Sequence, residues 1–304
     1  MIEASNAKMQ QLILPSTNKA LARVLQELSP QKFAELSKAK DLSSILDTLF
    51  KNSSNELQNQ KLLELLKNNP TLKELGNIKT TIKDLLFTLQ NTKQNLPIEK
   101  HLQNMLEHIK NIDDKTLKTK LENSGVFLES KLKQNTKVQE LIANDFKAAL
   151  LKTKAEVQNI TTPNQAQLNN LVDKLTLQID YYQLASHLSN GSALYIPYDF
   201  DALEDGNLQI TKDQNETYFC DINLTLKEYG ELDIRLGLFE KKYLNININT
   251  QNEELKTLLL SGLKELKQQL SATGLIIKDI RFLDPSQHYA DPDSELKLGF
   301  EVKI

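Results

Sequence analysis

The chain has 304 residues, a formal net charge of -3, charged residues at 25% and a mean hydropathy of -0.43. That charge argues against a general nucleic-acid binder, which carries a strong basic excess. No run of about 18 apolar residues supports a membrane span, and no basic start followed by an apolar stretch marks a secretory leader. Cys220 is the single cysteine, which excludes an internal disulfide and a cysteine-rich zinc site.

Glycine, aromatics and charge divide the chain near residue 190. Only Gly76 and Gly125 precede that point, and most aromatics follow it. Residues 1–190 hold more Lys and Arg than Asp and Glu, and residues 191–304 hold the reverse. Such asymmetry predicts two regions. The first reads as helices. Leu21, Val24, Leu25 and Leu28 recur at helical spacing. Pro30 closes that helix and opens the next, and Phe33, Leu36, Leu42, Ile45, Leu46 and Leu49 continue the pattern. Asn68-Asn69-Pro70 stops a leucine-rich stretch, Ile78 to Leu89 forms another stripe, and Pro97 opens a helix through Ile98, Leu102 and Met105. Asp113-Asp114 marks a turn and helix start. Short helices are marginal alone, so the pattern predicts a helical bundle over 1–157 rather than one long rod. Residues 158–167 are polar around Pro163 and read as a linker, followed by a connecting helix over 168–190.

The second region, 191–304, changes period. Ala193 to Phe200 contains Pro197 and reads as an edge strand at best. Tyr218 to Leu226, Leu232 to Leu238 and Leu244 to Ile248 alternate with period two, which predicts three strands, with a tight turn at Tyr229-Gly230. A helix over about 252–271 follows, with Leu255, Leu258, Leu259, Gly262, Leu263, Leu266 and Leu270 facing inward. Gly274 stops it, Leu275 to Leu283 is a fourth strand, and Leu296 to Val302 alternates in a final one. The expected fold is α+β: an all-helical region, then a small antiparallel sheet with one packed helix in the order β-β-β-α-β.

No catalytic signature is present: no P-loop, GxGxxG, GxSxG or HExxH. His101 and His108 stand two helical turns apart, but nothing nearby completes a metal site, so they read as exposed helix histidines. Asp291 and Asp293 flank Pro292 as turn residues. Cys220 shares its alternating face with Ile222 and Leu224, and reads as a packing cysteine rather than a nucleophile. The reading expects no enzyme, no cofactor and no metal.

Two segments carry a resemblance. Leu224 to Leu275 runs LTLKEYGELDIRL, a further strand, then EELKTLLLSGLKELKQQLSATGL. This resembles the C-terminal domain of bacterial flagellar hook-length control proteins. There a strand enters a Pro-x-x-Leu-Gly turn, and a leucine-patterned helix ends in Gly-Leu. Gly230 matches the turn glycine, and Leu263, Leu266, Leu270, Gly274 and Leu275 match the helix and its exit. Leu226 stands where the family has proline, and Tyr229 where it has leucine. Upstream, LENSGVFLESKL (Leu121 to Leu132) is similar to a family stretch holding Ser124, Gly125, Phe127 and Glu129.

The resemblance implies a non-enzymatic protein. Such a protein is held in the cytoplasm and then exported through the flagellar type III secretion system, with no membrane insertion. Its N-terminal region would touch hook and hook-cap proteins as a ruler. Its C-terminal domain would bind the cytoplasmic domain of the export-gate switch protein and end hook-subunit export. A flagellar-associated helical scaffold or adaptor that keeps the domain without measuring hooks is the alternative. Expected contact residues are Tyr229 and Gly230 at the turn, and Glu254, Lys256, Lys264 and Lys267 on the helix's solvent face. Tyr229 is either an interface anchor or a cover for the sheet edge.

Overall fold

The computed structural model describes residues 13–92, 96–134, 137–159, 162–213 and 216–283. They form an α+β chain, helical first and then a six-stranded sheet with one helix. Two compact units divide it. One holds the chain up to Asn190 together with Pro197–Asp199, and the other begins at Gly191 and resumes at Phe200.

In the helical unit the caps follow the sequence signals. Asn18 accepts the Leu21 N–H at 2.8 Å and starts the helix Lys19–Leu28, which buries Ala20, Leu21, Val24 and Leu25. Asn69 ends the helix Asn55–Asn68 and caps the next, Pro70–Lys73, with proline at the first helical turn where its missing N–H costs nothing. Asp113 caps the helix Asp114–Glu122 by accepting the Thr116 N–H at 2.7 Å. The stretch expected as a linker holds a turn at 162–164 between two helices. The helix Phe146–Gln158 runs to its first residue, and the helix Gln165–Leu188 starts inside it. Gln165 ties the two by donating to the Val157 carbonyl at 2.9 Å. Every residue of Gln165–Leu188 from Leu175 onward is buried, so this helix is the hub of its unit. Asn190, at φ 52°, takes the left-handed conformation just past the helix.

The sheet is built from β1 (Ser192–Tyr195), β2 (Leu203–Lys212), β3 (Tyr218–Leu226), β4 (Gly230–Phe239), β5 (Tyr243–Asn249) and β6 (Ile276–Phe282), in that spatial order. The first five form an antiparallel meander. β6 runs parallel to β5, which corrects the all-antiparallel expectation. The reason is the helix Glu253–Ala272: its 20 residues carry the chain about 30 Å back along the sheet, so the next strand starts where β5 started.

β2 was not expected either. Its Asp205-Gly206 pair sits inside the strand beside a register shift between Leu203 and Asp205. A Cβ on Gly206 would come within 2.6 Å of Ile196 Cδ1, the end of a side chain that can shift, and 3.2 Å of the Asn223 carbonyl oxygen, so glycine here serves close packing rather than turning. The expected final strand, Leu296 to Val302, lies outside the described residues, as do His288, Asp291 and Asp293.

One sheet face is apolar and carries the helix. Leu226, Leu232, Leu244, Ile246, Ile248 and Leu255 form its buried core, with Leu259, Leu270, Leu275, Ile280 and Phe282 against it. Leu258 was expected on the inner face but is 56% exposed, and Gly262 is exposed too. Both flank the stripe Leu255, Leu259, Leu263, Leu266 and Leu270 on the same side.

Candidate partner-binding site

The turn between β3 and β4 is made by Lys227, Glu228 and Tyr229, closed by the Leu226–Gly230 pair. Gly230 sits at φ +76° with open space around it, so its requirement is conformational and not steric. Leu226 is buried at the end of β3. Tyr229 is half-buried and packs on the core cluster. Its ring therefore closes the apolar layer from the turn end.

The helix begins at the same end. Asn249 of β5 pairs with Asp233 of β4, and Thr250 donates to the Glu231 carbonyl at 3.0 Å. Asn252 then caps the helix by accepting the Leu255 N–H at 2.9 Å. This brings Glu254 and Lys256 to the turn end of the domain. Glu254 is exposed, and Lys256 is half-buried, 3.6 Å from Glu253. Lys264 and Lys267 are exposed but lie about 16 and 20 Å further along the helix axis, toward its C-terminal end. The six expected contact residues thus fall into two groups. Leu263 and Leu266 are half-buried, Leu270 and Leu275 pack on the core, and Gly274 ends the helix at φ +86°.

The opposite sheet face carries polar and aromatic residues. Arg235 lies 3.6 Å from Asp221 and stacks over the Phe219 ring at 4.9 Å. Phe219 and Phe239 meet edge to face. Burial pushes the Asp221 carboxyl up, and Arg235 opposes it. Cys220 is partly buried, and burial pushes its thiol up to about 11, so little thiolate is present near neutrality. That fits the packing role read for it.

Sequence reasoning missed Lys278 and Arg281 on β6. Lys278 stacks over Tyr243 at 4.3 Å, and Arg281 pairs with Asp279. The signal was available: two cations, Lys278 and Arg281, within a largely apolar strand that follows the helix Glu253–Ala272. Among the described residues no three His, Cys, Asp or Glu side chains form a metal cluster, and no helix is long and apolar enough to cross a membrane. His101 and His108 do not share a helix face. The helix ends at Met105, and His108 caps a separate single turn with its Nδ1. His101 is half-buried rather than exposed, and burial pushes its pKa down.

The deciding comparison is with protein families. Residues 206–290 match the family of the flagellar hook-length control protein FliK. The matched stretch takes in β2 from Gly206 through β6, including the turn and the helix. The upstream segment Leu121 to Leu132 lies outside the match. No curated protein and no solved structure matches the chain.

That upstream segment has a structural account of its own. Gly125, at φ +93°, lies so close to the helix Phe146–Gln158 that a Cβ would come within 2.7 Å of Lys147 Cβ and 2.8 Å of its backbone nitrogen. Asn123 accepts the Phe146 N–H through its carbonyl at 2.9 Å. Glu129 accepts from Lys147 Nζ at 2.6 Å. Asp180 lies 2.7 Å from the same ammonium, and Gln183 Oε1 accepts from it at 3.0 Å. Burial pulls the Lys147 pKa down, but Asp180 and Glu129 reverse this and leave it raised. The segment thus closes around one fully buried lysine.

Proposed function

We propose that this chain controls flagellar hook length and switches export specificity by timed binding, without catalysis. The match of residues 206–290 to the hook-length control family carries this reading. In it, the C-terminal domain contacts the cytoplasmic domain of the export-gate switch protein, the helical region meets hook and hook-cap proteins, and the chain leaves the cytoplasm through the type III channel. The turn end, with Tyr229, Gly230 and Glu254, is the surface offered for the switch contact. Passage through the channel requires unfolding. The region before residue 191 would then extend to roughly 600 Å at about 3.3 Å per residue, a useful reach for a ruler. A scaffold that holds partners on exposed leucine stripes is disfavoured, because the leucines of Lys19–Leu28, Asn55–Asn68 and Ile78–Thr92 are largely buried.

Deletion of residues 217–284 in the source bacterium tests the reading by electron microscopy of its flagella. Overlong hooks without filaments are expected. Hooks of normal length bearing filaments would overturn it and leave the adaptor role.

A further inference from the structure

β6 ends the sheet. Among the described residues it has one strand neighbour, β5, so alternate N–H and C=O groups of Ile276–Phe282 face away from the sheet. A groove runs along this edge beside the last turns of the helix, lined among others by Lys267, Ser271, Gly274, Leu275 and Ile276. Ile276 is 41% exposed there. The charge around the edge is unlike that of the rest of the region, which is net acidic. On the helix side stand Lys264 and Lys267, both exposed. On the opposite face stand Lys278, over Tyr243, and Arg281, whose strand partner is Asn247. Asp279 partly offsets Arg281.

We propose that the outer edge of β6, which no other described strand covers, binds an extended acidic segment of a partner protein as an added strand. Backbone pairing along the edge supplies affinity, and side-chain chemistry selects the segment. Successive side chains of an added strand point to opposite faces. Cations wait on both: Lys267 on one, Lys278 and Arg281 on the other. A segment with carboxylates on either face is therefore favoured over a neutral or basic one. The inference stands on the domain's architecture and is independent of the hook-length role.

The test uses the full chain and a synthetic octapeptide of alternating glutamate and valine, with a lysine–valine octapeptide as control. Calorimetric titration at low and moderate salt should find salt-weakened binding of the acidic peptide alone, and hydrogen exchange should find new protection within 276–282. Lys267→Glu with Lys278→Glu should weaken binding about tenfold or more, since like charges now face the ligand. Arg281→Glu serves as a second variant if that pair disturbs folding. Equal binding of the basic peptide would overturn the proposal, as would binding without protection of β6. Outward amides of β6 already protected in the free chain would overturn it too, since residues beyond Leu283 would then occupy the edge.

Discussion

Gly230 carries a conformational requirement that one substitution can test. Its φ of +76° lies in the region that costs an L-residue about 1–2 kcal/mol, and more when the side chain is β-branched. Because nothing lies within 4 Å of its would-be Cβ, the whole effect of substitution is backbone strain. Gly230→Val should therefore destabilise the domain by at least about 1–2 kcal/mol, read as a lower urea midpoint with an unchanged slope. An unchanged midpoint would mean the turn does not need that conformation. The neighbouring hairpin sets a contrast. Glu240 and Lys241, at φ 50° and 56°, hold the same strained region without glycine. Nothing in their residue types announces a turn of that kind, whereas Gly230 was legible because glycine beside two alternating runs has one obvious use.

At the scale of elements, the buried node around Lys147 joins the segment at Glu129, the helix Phe146–Gln158 and the hub helix at Asp180 and Gln183. Asn18 adds a fourth segment by donating to the Asp180 carbonyl at 2.9 Å and to Gln183 Oε1 at 3.1 Å. One ammonium faces two carboxylates, Glu129 and Asp180, with Asp145 and Lys131 paired nearby. Burial pushes the Asp180 carboxyl above its ordinary value, and Lys147 only partly opposes this. A carboxyl raised in the folded state binds protons that the unfolded chain has released. Its contribution to stability therefore falls as pH rises from about 3.8 through the raised value, and is regained on acidification. Urea unfolding followed by helical circular dichroism, repeated between neutral pH and about 4.5, should find that Asp180→Asn removes this gain at low pH. A variant with the wild-type pH slope would place the proton uptake elsewhere.

The node also marks the limit of sequence reading among elements. The similarity of LENSGVFLESKL to a family stretch was visible, but its partner Lys147 was not. A lysine two residues after Asp145 reads as a solvated helix start. Likewise β2 was hidden because an Asp-Gly pair signals a turn by itself. Only the approach of Ile196 and Leu224 explains a glycine within a strand. The parallel placement of β6 depends on where a long helix returns the chain, which local alternation does not encode. The expected contact residues were read as one helix face plus a turn. Their separation into two ends of the domain follows from helix length alone.

For the whole molecule, the two compact units have their own cores: the hub helix with its neighbours in one, and the layer from Leu226 to Leu255 in the other. Units built this way can unfold separately. Lys147→Met keeps most of the side-chain volume but leaves Glu129 and Asp180 buried without their cation. Breaking such a group costs about 3–5 kcal/mol, and the loss falls on the helical unit. Gly230→Val loads its strain on the sheet. Scanning calorimetry of the full chain should therefore resolve two transitions, with Lys147→Met lowering one and Gly230→Val lowering the other. The heat of each, compared with far-ultraviolet circular dichroism at the helical signal, assigns them. If both variants shift one shared transition, the units unfold together and the chain is a single cooperative block. On the proposed export role, passage through a narrow channel would then have to break the lysine node and the sheet at once, rather than in the stepwise order that independent cores permit.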